Sequence, residues 1–262
     1  MVSYPFQRES RRARWAWRLA SFALALLIVS GLGHRLDLVD TPSFLALLGL
    51  VALFALLALG FSWAALARLW QVDEAGIGRA FAAALLALAT LIPFAVSAVL
   101  WITHPRLADV ATDLADPPAL RHAAATRGGL MNPVSPIDPS QAEMQRAHYP
   151  AVTGRRYDLE RNTVEQAVRG ILQRKGWRAT RLPDPRMEGS TVTIEAEART
   201  LVFGFVSDVA IRLRDAGGRT HVDMRSASRY GDHDFGDNAS RITTFLERLD
   251  EEMEAFPVMP AE

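Results

Sequence analysis

Apolar positions follow two different patterns, unbroken runs before residue 103 and periodic spacing after residue 156. Residues 43–66 (SFLALLGLVALFALLALGFSWAAL) and 80–102 carry no charged side chain. At ~1.5 Å of helical rise per residue, both are long enough for a hydrocarbon core of ~30 Å. A shorter run, 19–33, spans only if residues 15–18 extend it and Arg18 snorkels to the interface. The pattern therefore predicts three transmembrane helices, at about 15–33, 43–66 and 80–102. Pro93 falls inside the third, where neighbouring helices can satisfy the carbonyl it frees. The alternative for the first run is the apolar core of a signal peptide. Gly31, Leu32 and Gly33 make a poor small-x-small cleavage site, so retention is expected. Trp15, Trp17, Trp63, Trp70 and Trp101 sit at segment ends, where amphipathic rings favour the headgroup level.

After residue 103 the character changes. Prolines 105, 117, 118, 133, 136, 139 and 150, with Gly128 and Gly129, argue against any long regular element. Residues 103–148 are read as a linker or as a segment laid over the domain that follows, with Leu107, Val110, Leu114, Leu120, Leu130 and Met131 available for docking. A helix then starts near Asn162 and Thr163, with Val164, Ala167, Val168, Ile171 and Leu172 on one face and Gly176 at its end. Residues 191–200 alternate strictly, residues 201–214 alternate at their end, and Gly217 and Gly218 turn the chain into a strand over 221–230. Residues 177–182 are a further short strand candidate. A last helix runs from Asp237 or Asn238 to about residue 253, with Ile242, Phe245, Leu246 and Leu249 on one side. The order helix, antiparallel meander of three or four strands, helix predicts a two-layer α+β sandwich over 149–256, preceded by the membrane anchor of residues 1–102.

Charge refines this division. The formal net charge is zero over 262 residues. Eight arginines against five acids in residues 1–102 leave +3, and 21 basic against 24 acidic residues thereafter leave −3. No basic field is present, which argues against a nucleic-acid partner. The absence of cysteine excludes disulfides, thiolate metal ligands and cysteine nucleophiles. Lys175 is the sole lysine, a codon-usage mark expected of a GC-rich bacterial genome. Arg8, Arg11, Arg12, Arg14, Arg18, Arg68 and Arg79 flank one side of the three helices, against Arg35, Arg106 and Arg121 on the other. The positive-inside rule then places the N-terminus in the cytoplasm and the C-terminal domain in the periplasm, on the bacterial inner membrane. The segments carry no ionisable residue except Arg18 at an edge, so an anchor is expected rather than a transport pathway, with Ser30, Ser62, Thr90 and Ser97 as packing or backbone-bonding residues.

The stretch HVDMRSASRYGDHDFGDNASRITTFL (221–246), with LVFGFVSDVAIRLR (201–214), DVATDLADPP (109–118) and AHYP (147–150), resembles the bacterial family catalogued as domain of unknown function 1499. The resemblance covers roughly residues 105–250 and implies a fold-sized module. It brings no established activity and no catalytic residues.

The residues themselves supply the candidate site. Alternation puts His221, Asp223, Arg225, Ala227 and Arg229 on one face of the last strand, and Ala210, Arg212 and Arg214 on the facing side of its neighbour. Guanidinium forks match phosphate and carboxylate, so one reading is a site for an anionic headgroup built from Arg225, Arg229, Arg212, Asp208 and Asp223. The other is a solvated, ion-paired sheet face. Along one strand Arg225 and Arg229 would stand about 13–14 Å apart. Arg229 is assigned to the ligand and Arg225 to an internal pair with Asp223 or Asp208. The loop Asp232 to Asn238 fails the spacing of a calcium loop, and Asp237 or Asn238 serves as a helix cap. Phe203, Gly204 and Phe205 mark either close backbone approach or core. No metal or cofactor is expected. The leading reading is a membrane-anchored envelope protein that binds a partner protein or an anionic lipid headgroup; the alternative is a membrane-tethered hydrolase or lipid-modifying enzyme.

Overall fold

The structure is a computed structural model, and it describes residues 10–69, 76–182 and 190–255. Trp70 and Arg8 lie outside the described residues. The chain divides into two units, Met1–Val99 with Val202–Gly204, and Leu100–Leu201 with Phe205–Glu262.

Three helices, α1 (Arg11–Arg35), α2 (Thr41–Leu69) and α3 (Ile77–Thr103), are long and apolar enough to cross a membrane. All three are longer than the uncharged runs because polar ends continue the helix, and Pro93 lies inside α3. In the first unit the helices meet through small side chains: Ala16, Ala20, Ala58, Ala83 and Ala87 form one buried cluster, Ala13, Ala65 and Ala80 another. Between apolar helices in lipid, such contacts gain dispersion energy from close backbone approach. Ser30 and Thr90 return their hydroxyls to the carbonyls of Leu26 and Leu86. Leucines and phenylalanines such as Phe81, Leu85 and Leu88 stay exposed, as lipid-facing residues must. Val202–Gly204 belong to this unit, and Gly204 (φ 77°) carries the close backbone approach expected of it: an added Cβ would come 3.2 Å from Cα of Arg35.

The second unit is α+β. Six antiparallel strands, β1 (Asp109–Ala111), β2 (Arg155–Tyr157), β3 (Arg178–Arg181), β4 (Thr191–Arg199), β5 (Val206–Asp215) and β6 (Thr220–Ser228), form a sheet in the order β1-β6-β5-β4-β3, with β2 also on β6. β1 and β2 share that edge of β6, against residues 225–227 and 220–222. On one face lie α6 (Arg161–Arg174) and α7 (Asp237–Glu254). Val164, Val168, Ile171, Ile242, Phe245, Leu246 and Leu249 pack there on Ile194, Val209, Ile211, Leu213, Val222 and Met224. Each side chain of this set is essentially removed from water, which supplies roughly 1.5–3 kcal/mol per large side chain.

The other face is covered too. Residues 105–148, which we term the strap, contribute β1, a six-residue helix α4 (Arg121–Thr126) and α5 (Pro139–His148). Leu120 and Ala123 of the strap pack on Ala210 and Ala227 of the sheet. The elements here stay short, as the prolines lead one to expect, and the longest is the ten-residue α5. Pro139 occupies the first turn, where the missing N–H costs nothing, and Asp138 caps the helix through Ser140 N. The caps of α6 and α7 differ from expectation. α6 starts one residue before Asn162, behind Glu160, with no side-chain cap bond. Asp234, not Asp237 or Asn238, accepts the Gly236 and Asn238 amides at the start of α7. Asn238 is buried and tied to Ser226, Ser228 and the Ala108 carbonyl.

Because β1 and the strap complete the sheet, a soluble fragment starting near residue 105 should melt cooperatively, and one starting at residue 149 should not. Far-ultraviolet circular dichroism on heating both fragments measures this; equal melting would mean the strap is dispensable.

Candidate functional site

Of the five residues singled out on the sheet face, Asp208, Arg212, Asp223 and Arg225 are buried rather than solvated, and Arg229 is half-buried. Relative exposures of 2–7% for Asp223, Asp208, Arg225 and Arg212 decide against an open ion-paired surface. Alternation placed them on the polar face correctly; what it could not include was the lid of strap residues on top.

Each charge has an internal partner, arranged in three rows across the sheet. Arg229, just beyond the end of β6, reaches Asp208 at 2.7 Å and Glu197 at 2.5 Å, and Arg127 of the strap takes the other side of Asp208 at 2.7 Å. Burial alone would lower the Arg229 pKa, but its bonds to Asp208 and Glu197 outweigh that and raise it, so the guanidinium stays charged. Arg225 forms a fork on Asp109 of β1, with bonds of 3.0 and 2.6 Å, and also donates to the Ser135 carbonyl. Its partner is therefore neither Asp223 nor Asp208, because β1 sets Asp109 opposite Ala227, the next same-face position along β6 from Arg225. Arg212 donates to Asp116 (2.7 Å), Asp113 (3.0 Å) and Asp223 (3.0 Å), and Arg214 adds a bond to Asp223 at 2.8 Å. Burial would raise the Asp113 pKa, yet the amides of Asp116 and Ala115 and the two arginines hold it below the usual value.

The ligand role given to Arg229 thus gives way to an internal pair: its fork is filled by two buried carboxylates of the protein. Strap residues Asp109, Asp113, Asp116 and Arg127 escaped the sequence reading of the site. For the three aspartates the signal was present in the acidic spacing of DVATDLADPP, opposite a strand pair with an excess of arginine.

Beside this network opens a cleft of about 560 Å³. Thr112, Asp113 and Ala115 of the strap, Arg146 and Tyr149 near the end of α5, and His221 and Asp223 of β6 line it, with Gly154 alongside. Gly154 is required there: a Cβ would lie 2.7 Å from Asp223 Oδ1 and 3.1 Å from His221 Nε2. His221 Nδ1 accepts from Arg156 Nε at 3.2 Å, and its Nε2 lies 3.3 Å from Asp223 Oδ1. The Thr112 hydroxyl donates to Asp223 Oδ1 and accepts from the Met224 amide. Burial, with Asp234 nearby, pushes the Tyr149 phenol up to about 12, so it stays protonated at neutral pH.

The family model described as "Protein of unknown function (DUF1499)" matches residues 109–249, more than half of the chain. The chain belongs to this family. The match to DUF1499 begins at β1 and takes in the whole strap from there, so the charged segment that closes the sheet face is part of the family's module. No curated protein matches the chain.

Breaking a buried pair strands its partner, at a cost of about 3–5 kcal/mol. Arg225→Ala and Arg229→Ala should each lower the melting temperature clearly, while Arg225→Met combined with Asp109→Leu should recover most of the loss. Thermal melts of the DUF1499 domain test this; an unchanged Arg229→Ala melt would return that arginine to the ligand role.

Proposed function

We propose that this DUF1499 protein is a multi-pass protein of the bacterial inner membrane whose domain lies in the periplasm and binds an envelope protein through the His221 cleft. The three apolar helices support the membrane anchor, and the seven-to-three arginine asymmetry of their flanks supports a cytoplasmic N-terminus. The observation that carries the binding role is the state of the cleft's side chains. The imidazole of His221 and the hydroxyl of Thr112 are committed to partners within the protein, so they form a fixed recognition surface rather than an activated nucleophile beside a free base. The tethered-hydrolase reading draws no support from this arrangement. An anionic ligand held by Arg212, Arg225 and Arg229 loses its footing as well, because their forks already hold carboxylates.

Alkaline phosphatase fused after Ser140 should be active, and a reporter that fluoresces only in the cytoplasm should be dark at the same position. The opposite pair of results would put the domain in the cytoplasm. For the binding role, the full chain in mild detergent should retain a partner protein that Ala115→Trp and Arg146→Glu each release. Both substitutions sit at exposed positions of the cleft and leave the core untouched. Retention of the same partner by both variants would remove the cleft from the interface.

A further inference from the structure

The carboxylates of the covered sheet face are matched to arginines, with one exception. Glu197 and Asp208 share Arg229, Asp223 holds Arg212 and Arg214, and Asp109 holds Arg225. Glu195, only 2% exposed, has no cation partner among the described residues. Its Oε2 accepts one bond, from the His122 amide at 2.8 Å. A buried carboxylate without a counter-charge is unfavourable, so its retention calls for an occupant that supplies one.

Glu195 lines a cavity of about 480 Å³ that shares no lining residue with the His221 cleft. Register explains the placement: Glu195 stands opposite Ala210 on β5, which leaves space, and opposite Arg181 on β3. Arg121 and Arg181 sit at the exposed rim of the same cavity, and neither has a carboxylate partner among the described residues. Thr193 adds a hydroxyl to the wall, while Arg212 is already engaged by three aspartates. The cavity therefore offers one buried anionic acceptor within and, at its mouth, two guanidinium forks without a carboxylate partner among the described residues.

We propose that this cavity binds a small zwitterion, its primary ammonium on Glu195 and its anionic group between Arg121 and Arg181. An ammonium provides the charge and the donors that the free Glu195 oxygen lacks, and guanidinium forks suit a phosphate or carboxylate. Phosphoethanolamine, free or as a lipid headgroup, carries both groups at short separation, and an amino acid such as alanine carries them with a carboxylate instead. The site is separate from the His221 cleft and does not depend on it.

Isothermal titration of the full chain in non-ionic detergent, with phosphoethanolamine, alanine, ethanolamine and inorganic phosphate, tests the proposal. At least one zwitterion should bind at least tenfold more tightly than ethanolamine or phosphate alone. Vesicles containing phosphatidylethanolamine that compete with phosphoethanolamine, where phosphatidylcholine vesicles do not, would identify the lipid headgroup as the source; absence of competition would identify the free solute. Glu195→Gln keeps an oxygen for the His122 amide and should weaken binding at least tenfold. Arg181→Glu, at an exposed position, should do the same without a change in melting temperature. Arg146→Glu, in the other cleft, should leave binding unchanged. Failure of both zwitterions to bind, equal binding by phosphate alone, or unaltered affinity in both Glu195→Gln and Arg181→Glu would overturn the assignment.

Discussion

Asp109, Asp113 and Asp116 come from the strap, Arg225, Arg212 and Arg214 from the sheet, and the closure of the domain depends on their pairing. Without the strap, the sheet would present arginines and aspartates to water on one side, an ordinary half-exposed face. With it, those groups lose most of their hydration and must be neutralised by geometry alone. Desolvation costs several kcal/mol per ion, so such a network contributes little net stability. Its effect is on register. A shift of β1 by one residue along β6 would turn Asp109 away from Arg225 and leave both buried without partners.

The two sides of the sheet thus work by different physics. On the helical side, Phe245, Ile242, Leu249 and their sheet partners are held by removal of apolar area, which is strong and indifferent to fine direction. On the strap side, a small apolar patch at Leu120, Ala123, Ala210 and Ala227 assists, but directional bonds fix the position. A third polar set joins the two sides: Ser226 and Ser228 on β6 meet Asn238 and Arg241 of α7, and Asn238 also holds the Ala108 carbonyl next to β1. The strap end of β1 and the start of α7 are therefore tied to the same two serines. Open space remains where this closure leaves gaps, at the cleft lined by His221 and at the cavity lined by Glu195.

Within the site, the identity of the face was legible and the role of its residues was not. Period-two alternation sorts Asp208, Arg212, Asp223 and Arg225 onto one side regardless of what covers them. The strap aspartates that meet Arg212 and Arg225 come from 96 to 116 residues away in the chain, as the Arg212–Asp116 and Arg225–Asp109 separations show. No local pattern encodes such distances. The same holds for Gly154, whose missing Cβ matters only because Asp223 and His221 arrive against it from another strand.

The sequence alone determined three membrane-length helices, the α+β order of the second unit, the two apolar helix faces, the hairpin at Gly217 and Gly218, and the family. These follow from hydrophobic run length, periodicity, turn chemistry and characteristic residue blocks, all local to a window of the chain. Tertiary structure alone decided that residues 105–148 close the sheet, that Pro139 begins a helix rather than breaking one, that Asp234 caps α7, and that Arg229 meets Asp208 and Glu197. Those outcomes depend on which distant charges and amides come within about 3 Å of each other. Desolvation makes that matching obligatory once the face is covered, and it is the fold, not the local pattern, that covers it.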